Sequence, residues 1–152
     1  MKYIKADEQL NSEIYNLVQQ TIKEIYPKYY PKDVVVFFCE LHSLENIRKD
    51  IENENVYVLY DNDVLVGTGC FSDNHITRVY VLPDHQGRGY GTYIIKQLEN
   101  DIKKKYDTVV LDASLPAVML YEHLGYKTVN HNNYPVKNDV VLIYEIMEKK
   151  LT

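Results

Sequence analysis

Apolar residues recur at helical spacing from Leu10 through Ile14, Leu17, Val18 and Ile22 to Ile25, after an Asp7 placed to cap a first turn. Ahead of them, residues 1–6 alternate as a short strand does. Pro27 and Pro31 stop the helical pattern and bracket an aromatic stretch holding Tyr26, Tyr29 and Tyr30. Residues 34–38 fit two readings, a strand from the β-branched run or the opening of a second helix. Past Ser43, a good N-cap, Leu44, Ile47 and Ile51 return to helical spacing.

The period then changes to two. Residues 56–60 and 64–67 flank Asp61-Asn62-Asp63, which predicts a hairpin, and Ser72-Asp73-Asn74 turns the chain into a third antiparallel strand over residues 76–82. A helix is predicted after Gly91, with Ile94, Ile95, Leu98, Ile102 and Tyr106 on one side and three lysines, 103–105, in its last turn, where cations suit the dipole. Residues 108–111 read as a buried strand. Ser114 and Pro116 open another helix, with Ala117, Leu120, Tyr121 and Leu124 facing inward and Gly125 as its stop. Two closing strands, 127–130 and 140–147, flank a long polar loop. No repeat, low-complexity segment or domain boundary interrupts this order, so residues 1–152 are expected to form a single domain.

Composition narrows the function. The chain has 152 residues, of which 45% are hydrophobic, and a formal net charge of −5. An acidic chain of this kind is a poor partner for DNA or RNA. No apolar run approaches a membrane span and the first residues lack the apolar core of a signal peptide, so a cytoplasmic protein is expected. Cys39 and Cys70 form no CxxC pair and are expected as free thiols, and no metal is expected.

The chemistry concentrates between Arg78 and Thr92, a strand, a glycine-dense turn and a helix start. Glycines strip side chains from the turn, so backbone N–H groups converge on one space beside the positive end of a helix dipole, which suits a phosphate or pyrophosphate. A P-loop is excluded because no lysine follows Gly91. A dinucleotide fingerprint is excluded because the spacing is G-x-G-x-G and a hairpin precedes it.

Val-x-Val-x-Pro-x-x-Gln-Gly-x-Gly-x-Gly, with Gln86-Gly87-Arg88-Gly89-Tyr90-Gly91 at its centre, resembles the acetyl-coenzyme A motif of the GNAT family of N-acetyltransferases. Residues 117–126, with Tyr121 and a Gly125-Tyr126 ending, look like the family's second motif, and the order of elements matches along almost the whole chain. The resemblance implies one α/β (α+β) GNAT-like domain, with a mixed central sheet of about six to seven strands flanked by about four helices. It also implies acetyl-CoA as cofactor, bound where the motif strand splays from the next parallel strand. Val79, Tyr80 and Val81 would pair the pantetheine arm. Gln86, Gly87, Arg88, Gly89, Tyr90, Gly91 and Thr92 would surround the pyrophosphate, Arg88 through its backbone or its guanidinium. Ser114, where the family often has asparagine, would cap its helix and donate to the cofactor arm.

The same resemblance makes Tyr121 the general acid beside the cofactor sulfur. A thiol titrates near 8.5 and tyrosine near 10, so full proton transfer in water is uphill by about 2 kcal/mol, and burial of the thiolate narrows the gap. Counting back from Gln86 puts His75 where some relatives carry a catalytic base, with Asp73 a second candidate and ordered water the alternative to both. The acceptor is expected to be a small-molecule or peptide amine, selected by residues 26–38 and 131–139, and the protein a monomer or homodimer. Direct transfer in a ternary complex is expected, because neither cysteine has a histidine partner in its motif. A non-catalytic acyl-CoA-binding module is the alternative.

Overall fold

A computed structural model describes every residue except Glu54 and Asn138. Strand β1 (Lys2–Lys5) leads through a one-turn 3-10 segment into α1 (Asn11–Ile25), α2 (Lys32–Leu41) and α3 (Leu44–Asn53). Strands β2 (Asn55–Asp61), β3 (Val64–Ser72) and β4 (His75–Val81) follow, then α4 (Tyr90–Lys103), β5 (Thr108–Ala113), α5 (Val118–His123), β6 (Lys127–Pro135) and β7 (Val141–Lys150). One sheet runs in the order β1-β2-β3-β4-β5-β7-β6, antiparallel at every junction except β4–β5.

Two apolar layers sandwich this sheet. On one side Ile14, Leu17, Val18 and Ile22 of α1, Val34 and Phe38 of α2 and Ile47 of α3 cover Val56, Val58, Cys70 and Tyr80. On the other, Ile94, Ile95, Leu98 and Ile102 of α4 and Tyr121 of α5 cover Val66, Phe71, Ile76, Val81 and Leu111. The ambiguous run 34–38 is therefore helical. Val34 and Phe38, four apart, fall on one buried face, and that packing outweighs the strand preference of the valines. Asn62 and Asp63 both take positive φ in the β2–β3 hairpin, the conformation a tight two-residue turn needs.

Some expectations require correction. Asp7 caps a separate 3-10 turn, its carboxylate accepting from the Gln9 N–H, and α1 starts four residues later. Tyr106 lies beyond α4, partly exposed, with its hydroxyl donating to Asp73. Leu120 is also partly exposed and lines a cavity. The expected polar loop is largely strand: β6 continues to Pro135 against β7, leaving 136–140 as the connection, within which Asn138 lies outside the described residues.

The irregularity that shapes the site is in β4. Cys70 of β3 pairs with Arg78 and Phe71 with Ile76, so Thr77 is an extra residue, a bulge. Parallel pairing of β4 with β5 is limited to His75–Val110 and Ile76–Leu111. Beyond the bulge the two strands part.

Candidate functional site

The gap opened by that parting is part of a cavity of about 920 Å³. Its wall takes in residues 76–81 of β4, the glycine turn, Leu111 and Asp112 of β5, Ser114, and Ala117, Leu120 and Tyr121 around α5. Leu82 donates its N–H to the Val66 carbonyl at 2.9 Å, which makes that pair a hydrogen-bonded one in the antiparallel ladder. By alternation the Tyr80 main chain also faces β3, while the polar groups of Val79 and Val81 point the other way, into the gap. Two strand residues thus present a ladder edge with no neighbouring strand to fill it. Tyr80 does not join them: its main chain is turned to β3, and its buried hydroxyl lies 3.1 Å from that of Tyr26. The Val81 carbonyl is already engaged, accepting from the Gln86 side-chain amide at 3.0 Å, so Gln86 ties the turn back to the strand that feeds it.

The turn itself depends on glycine at two points. Gly87 has φ +78° and Gly89 φ +87°, and a side chain at either position would meet nothing within 4 Å. Glycine is required there for backbone conformation and not for space. Gly89 caps α4 without any side-chain cap, and the first bond of the helix runs from the Tyr93 N–H to the Gly89 carbonyl at 3.0 Å. The N–H groups of Tyr90, Gly91 and Thr92 therefore lack helical partners and project from the start of a 14-residue helix with no acidic residue in its first turn. These backbone groups and the gap fit a phosphate-bearing group with an amide-bearing arm. The Arg88 side chain is exposed and outside the cavity wall. The Tyr90 hydroxyl donates to Asp61, holding the ring across the end of the β2–β3 hairpin.

Tyr121 stands at the other end of the gap, buried, with its ring edge-on to Tyr126 at 5.3 Å. Gly125, at φ +95°, stops α5, and the Tyr126 N–H closes back on the Tyr121 carbonyl at 3.0 Å. The Tyr126 hydroxyl donates at 2.7 Å to buried Glu99, which also pairs with Lys149 at 3.2 Å. Tyr121 is thus held from behind by a chain of contacts reaching α4 and β7. Burial pushes its phenol above the ordinary tyrosine range, so the proton stays on it at neutral pH.

Other expected residues sit differently. Ser114 makes no side-chain cap; its hydroxyl accepts from Tyr26 at 3.3 Å, while the Leu115 N–H is taken by the Tyr30 hydroxyl at 2.7 Å. His75 lies outside the cavity wall, 3.9 Å from the Asp112 carboxylate. His75 begins β4 on the far side of the Thr77 bulge, where the strand is still paired with β5. Asp73 occupies the exposed β3–β4 turn at φ +52°. Cys39 and Cys70 are both off the cavity wall.

Sequence reasoning missed the buried polar group below the cavity. Arg78 donates through Nε to His42 Nδ1 at 3.1 Å and through Nη2 to Asp50 at 2.6 Å. A guanidinium nitrogen only donates, so Nδ1 is the unprotonated nitrogen of His42 and the ring's proton is on Nε2. Burial, reinforced by the Arg78 charge, lowers the His42 pKa to about 3 and keeps the ring neutral. The one signal in the sequence was an arginine in the middle of a strand with Ile76, Val79, Tyr80 and Val81 around it.

Comparison with known proteins fits this geometry. The family described as "Acetyltransferase (GNAT) domain" matches residues 25–147. The chain belongs to the GNAT acetyltransferase family. An uncharacterized acetyltransferase of Streptococcus pyogenes serotype M3 is 36% identical over 84 residues, covering 51% of this chain and 59% of that protein. An uncharacterized N-acetyltransferase of Schizosaccharomyces pombe is 34% identical over 87 residues, 53% of this chain and 50% of that protein. The chain thus spans little more than half the length of these curated relatives. A GCN5-related N-acetyltransferase structure from Rhodopseudomonas palustris superposes with a TM-score of 0.91 at 20% identity, covering 99% of this chain and 95% of that one. The PaiA N-acetyltransferase of Thermoplasma acidophilum, solved with coenzyme A, does so with 0.80 at 17% identity, covering 98% of both chains. At such identities the likeness concerns the fold.

Proposed function

We propose that this chain is an acetyl-CoA-dependent N-acetyltransferase, moving an acetyl group to a primary amine of a small molecule or peptide by direct attack in a ternary complex. The observation that carries the reading is the parting of β4 from β5 directly above the glycine turn, with Val79 and Val81 facing the gap. When bound, acetyl-CoA supplies a thioester-activated acyl group. The Val79 N–H and C=O and the Val81 N–H would pair its amide-bearing arm as a neighbouring strand would. The backbone from Gly87 to Thr92 would hold the pyrophosphate.

Tyr121 acts as proton donor. Burial makes its phenol a weaker acid than free tyrosine, so its part is a hydrogen bond to the sulfur as that atom gains charge, which favours the departure of the thiolate. Neither His75 nor His42 serves as base in this reading: His75 is off the wall, and the Nδ1 lone pair of His42 is committed to Arg78. The amine's proton leaves to water. A covalent route through cysteine has no support in the geometry, since both thiols are away from the cavity.

The test is thiol release from acetyl-CoA across a panel of amines, with Tyr121→Phe beside the native chain. Turnover of the variant should fall at least tenfold, about 1.4 kcal/mol of transition-state stabilisation, with CoA affinity unchanged. Unchanged turnover would remove Tyr121 as the acid. CoA binding without turnover on any amine would make the chain an acyl-CoA-binding module.

A further inference from the structure

Arg78 is an expensive residue to bury, and part of it is unused. Its side chain is 3% exposed, Nε is spent on His42 and Nη2 on Asp50, and Nη1 is buried with no partner among the described residues. Asp50 provides one carboxylate oxygen to one arm of the fork, although a guanidinium is shaped to bind two oxygens at once. Arg78 and His42 both belong to the cavity wall, and His42 has its proton on Nε2 with Nδ1 occupied. Donors are therefore left over here and acceptors are not.

The remaining wall agrees in sign. Its cations are Arg78 and Lys28, and its one carboxylate among the described residues is Asp112, across the gap on β5 and half exposed. Arg78 is offset by Asp50 behind it, so a polyamine acceptor would meet Lys28 and a single carboxylate where it needs several. Beyond Arg78 the wall is aromatic: Tyr29, Phe37, Tyr134 and Tyr144, with Phe37 and Tyr134 in ring contact at 5.3 Å between α2 and β6. Such a surface suits an apolar body.

Resting on the transferase reading above, we propose that the acceptor is an amine that carries a carboxylate, which the His42 Nε2–H binds with the Arg78 guanidinium behind it, while its apolar body lies on the aromatic wall. Arg78 and His42 are specificity residues in this assignment. They select the acceptor by its anionic group and take no part in acetyl-donor binding.

Calorimetric titration separates this from a purely structural role. The native chain, with and without saturating CoA, is titrated with ligand pairs differing by one carboxylate: N-acetylphenylalanine against N-acetylphenethylamine, and N-acetylleucine against N-acetylisopentylamine. Phenylalanine, phenethylamine, leucine and isopentylamine are compared in parallel by thiol release. The carboxylated member should bind at least tenfold more tightly. In the double variant Arg78→Met, Asp50→Asn, which removes both charges together, the preference should fall below threefold while CoA affinity stays unchanged. A structural role alone would weaken both members equally. Should that variant not fold, His42→Phe removes one donor and keeps the ring, and must lower the preference at least threefold. Equal affinity for both members, no binding of either carboxylated ligand, or a preference retained in the variants overturns the assignment. Loss of turnover with an intact carboxylate preference would instead overturn the transferase reading alone.

Discussion

At Gly89 the backbone stands at φ +87°, and a side chain added there would touch nothing within 4 Å. A substitution is therefore opposed by conformation alone, at a cost of about 1–3 kcal/mol for an ordinary residue and most for a β-branched one. The turn has no core packing to defend it, so Gly89→Val should fold, shift to negative φ and scatter the N–H groups of residues 90–92. CoA affinity, measured by calorimetry, should drop at least tenfold. Asparagine tolerates the left-handed region, so Gly89→Asn should retain most of the affinity. Equal losses in both variants would show that crowding, not φ, governs the position, and full affinity in Gly89→Val would sink the cradle. The same residue-scale reasoning separates what the sequence made legible from what it hid. The glycines at 87 and 89 and the α5 stop at Gly125 could be read from the chain, because each answers a local φ requirement. The partners of Arg78, His42 and Ser114 could not, since each bond joins residues 28 to 88 positions apart.

Elements show the same divide. Periodicity located α1, α3, α4 and the three-strand meander, because each buries one face and that face is written into its own residues. It left α2 open, where β-branched preference and helical packing oppose each other, and it ended β6 too early, because every residue of that edge strand is exposed and its polar run looks like loop. The Thr77 bulge was invisible because a bulge is a property of two strands and not of one. Close approach of α4 to β3 makes a testable element-scale point. A Cβ at Gly67 would lie 2.7 Å from Ile94 Cδ1, and one at Gly69 2.6 Å from Ile94 Cγ2, so the two glycines set the height at which α4 sits on the sheet. Gly67→Ala should cost about 1–3 kcal/mol by overpacking, read as a lower urea midpoint. Ile94→Val removes Cδ1, so the double mutant should recover at least about 0.5 kcal/mol relative to the sum of the single changes. Additive losses would place the strain elsewhere, with the Tyr80 carbonyl at 3.1 Å the next contact to relieve.

For the molecule as a whole, His42 is a polar joint between the helical layer and the sheet. Its carbonyl accepts from Gln19 of α1 at 3.0 Å, its ring accepts from Arg78 of β4, Arg78 reaches on to Asp50 of α3, and the ring stands edge-on to Tyr80 at 5.5 Å. This joint is held by a neutral imidazole, and that gives stability a pH dependence of definite sign. In the unfolded chain the ring takes up a proton near pH 6.5, whereas burial and Arg78 lower the folded value to about 3. Between those values the unfolded state binds more protons, so stability falls as pH drops below 6.5 and stops falling for this reason below 3. At pH 5 the loss from this one ring amounts to about 2 kcal/mol, at 1.36 kcal/mol per pH unit. His42→Asn keeps an acceptor for the Arg78 Nε–H and removes the titration. Urea unfolding from pH 7.5 to 4.5 should show the variant less stable at pH 7.5, for the lost packing, yet with a shallower acid slope, so that the gap to the native chain narrows by at least about 1 kcal/mol as pH falls. Parallel curves would mean that the acid sensitivity comes from the carboxylates instead, and that the His42 ring is not held neutral by the fold.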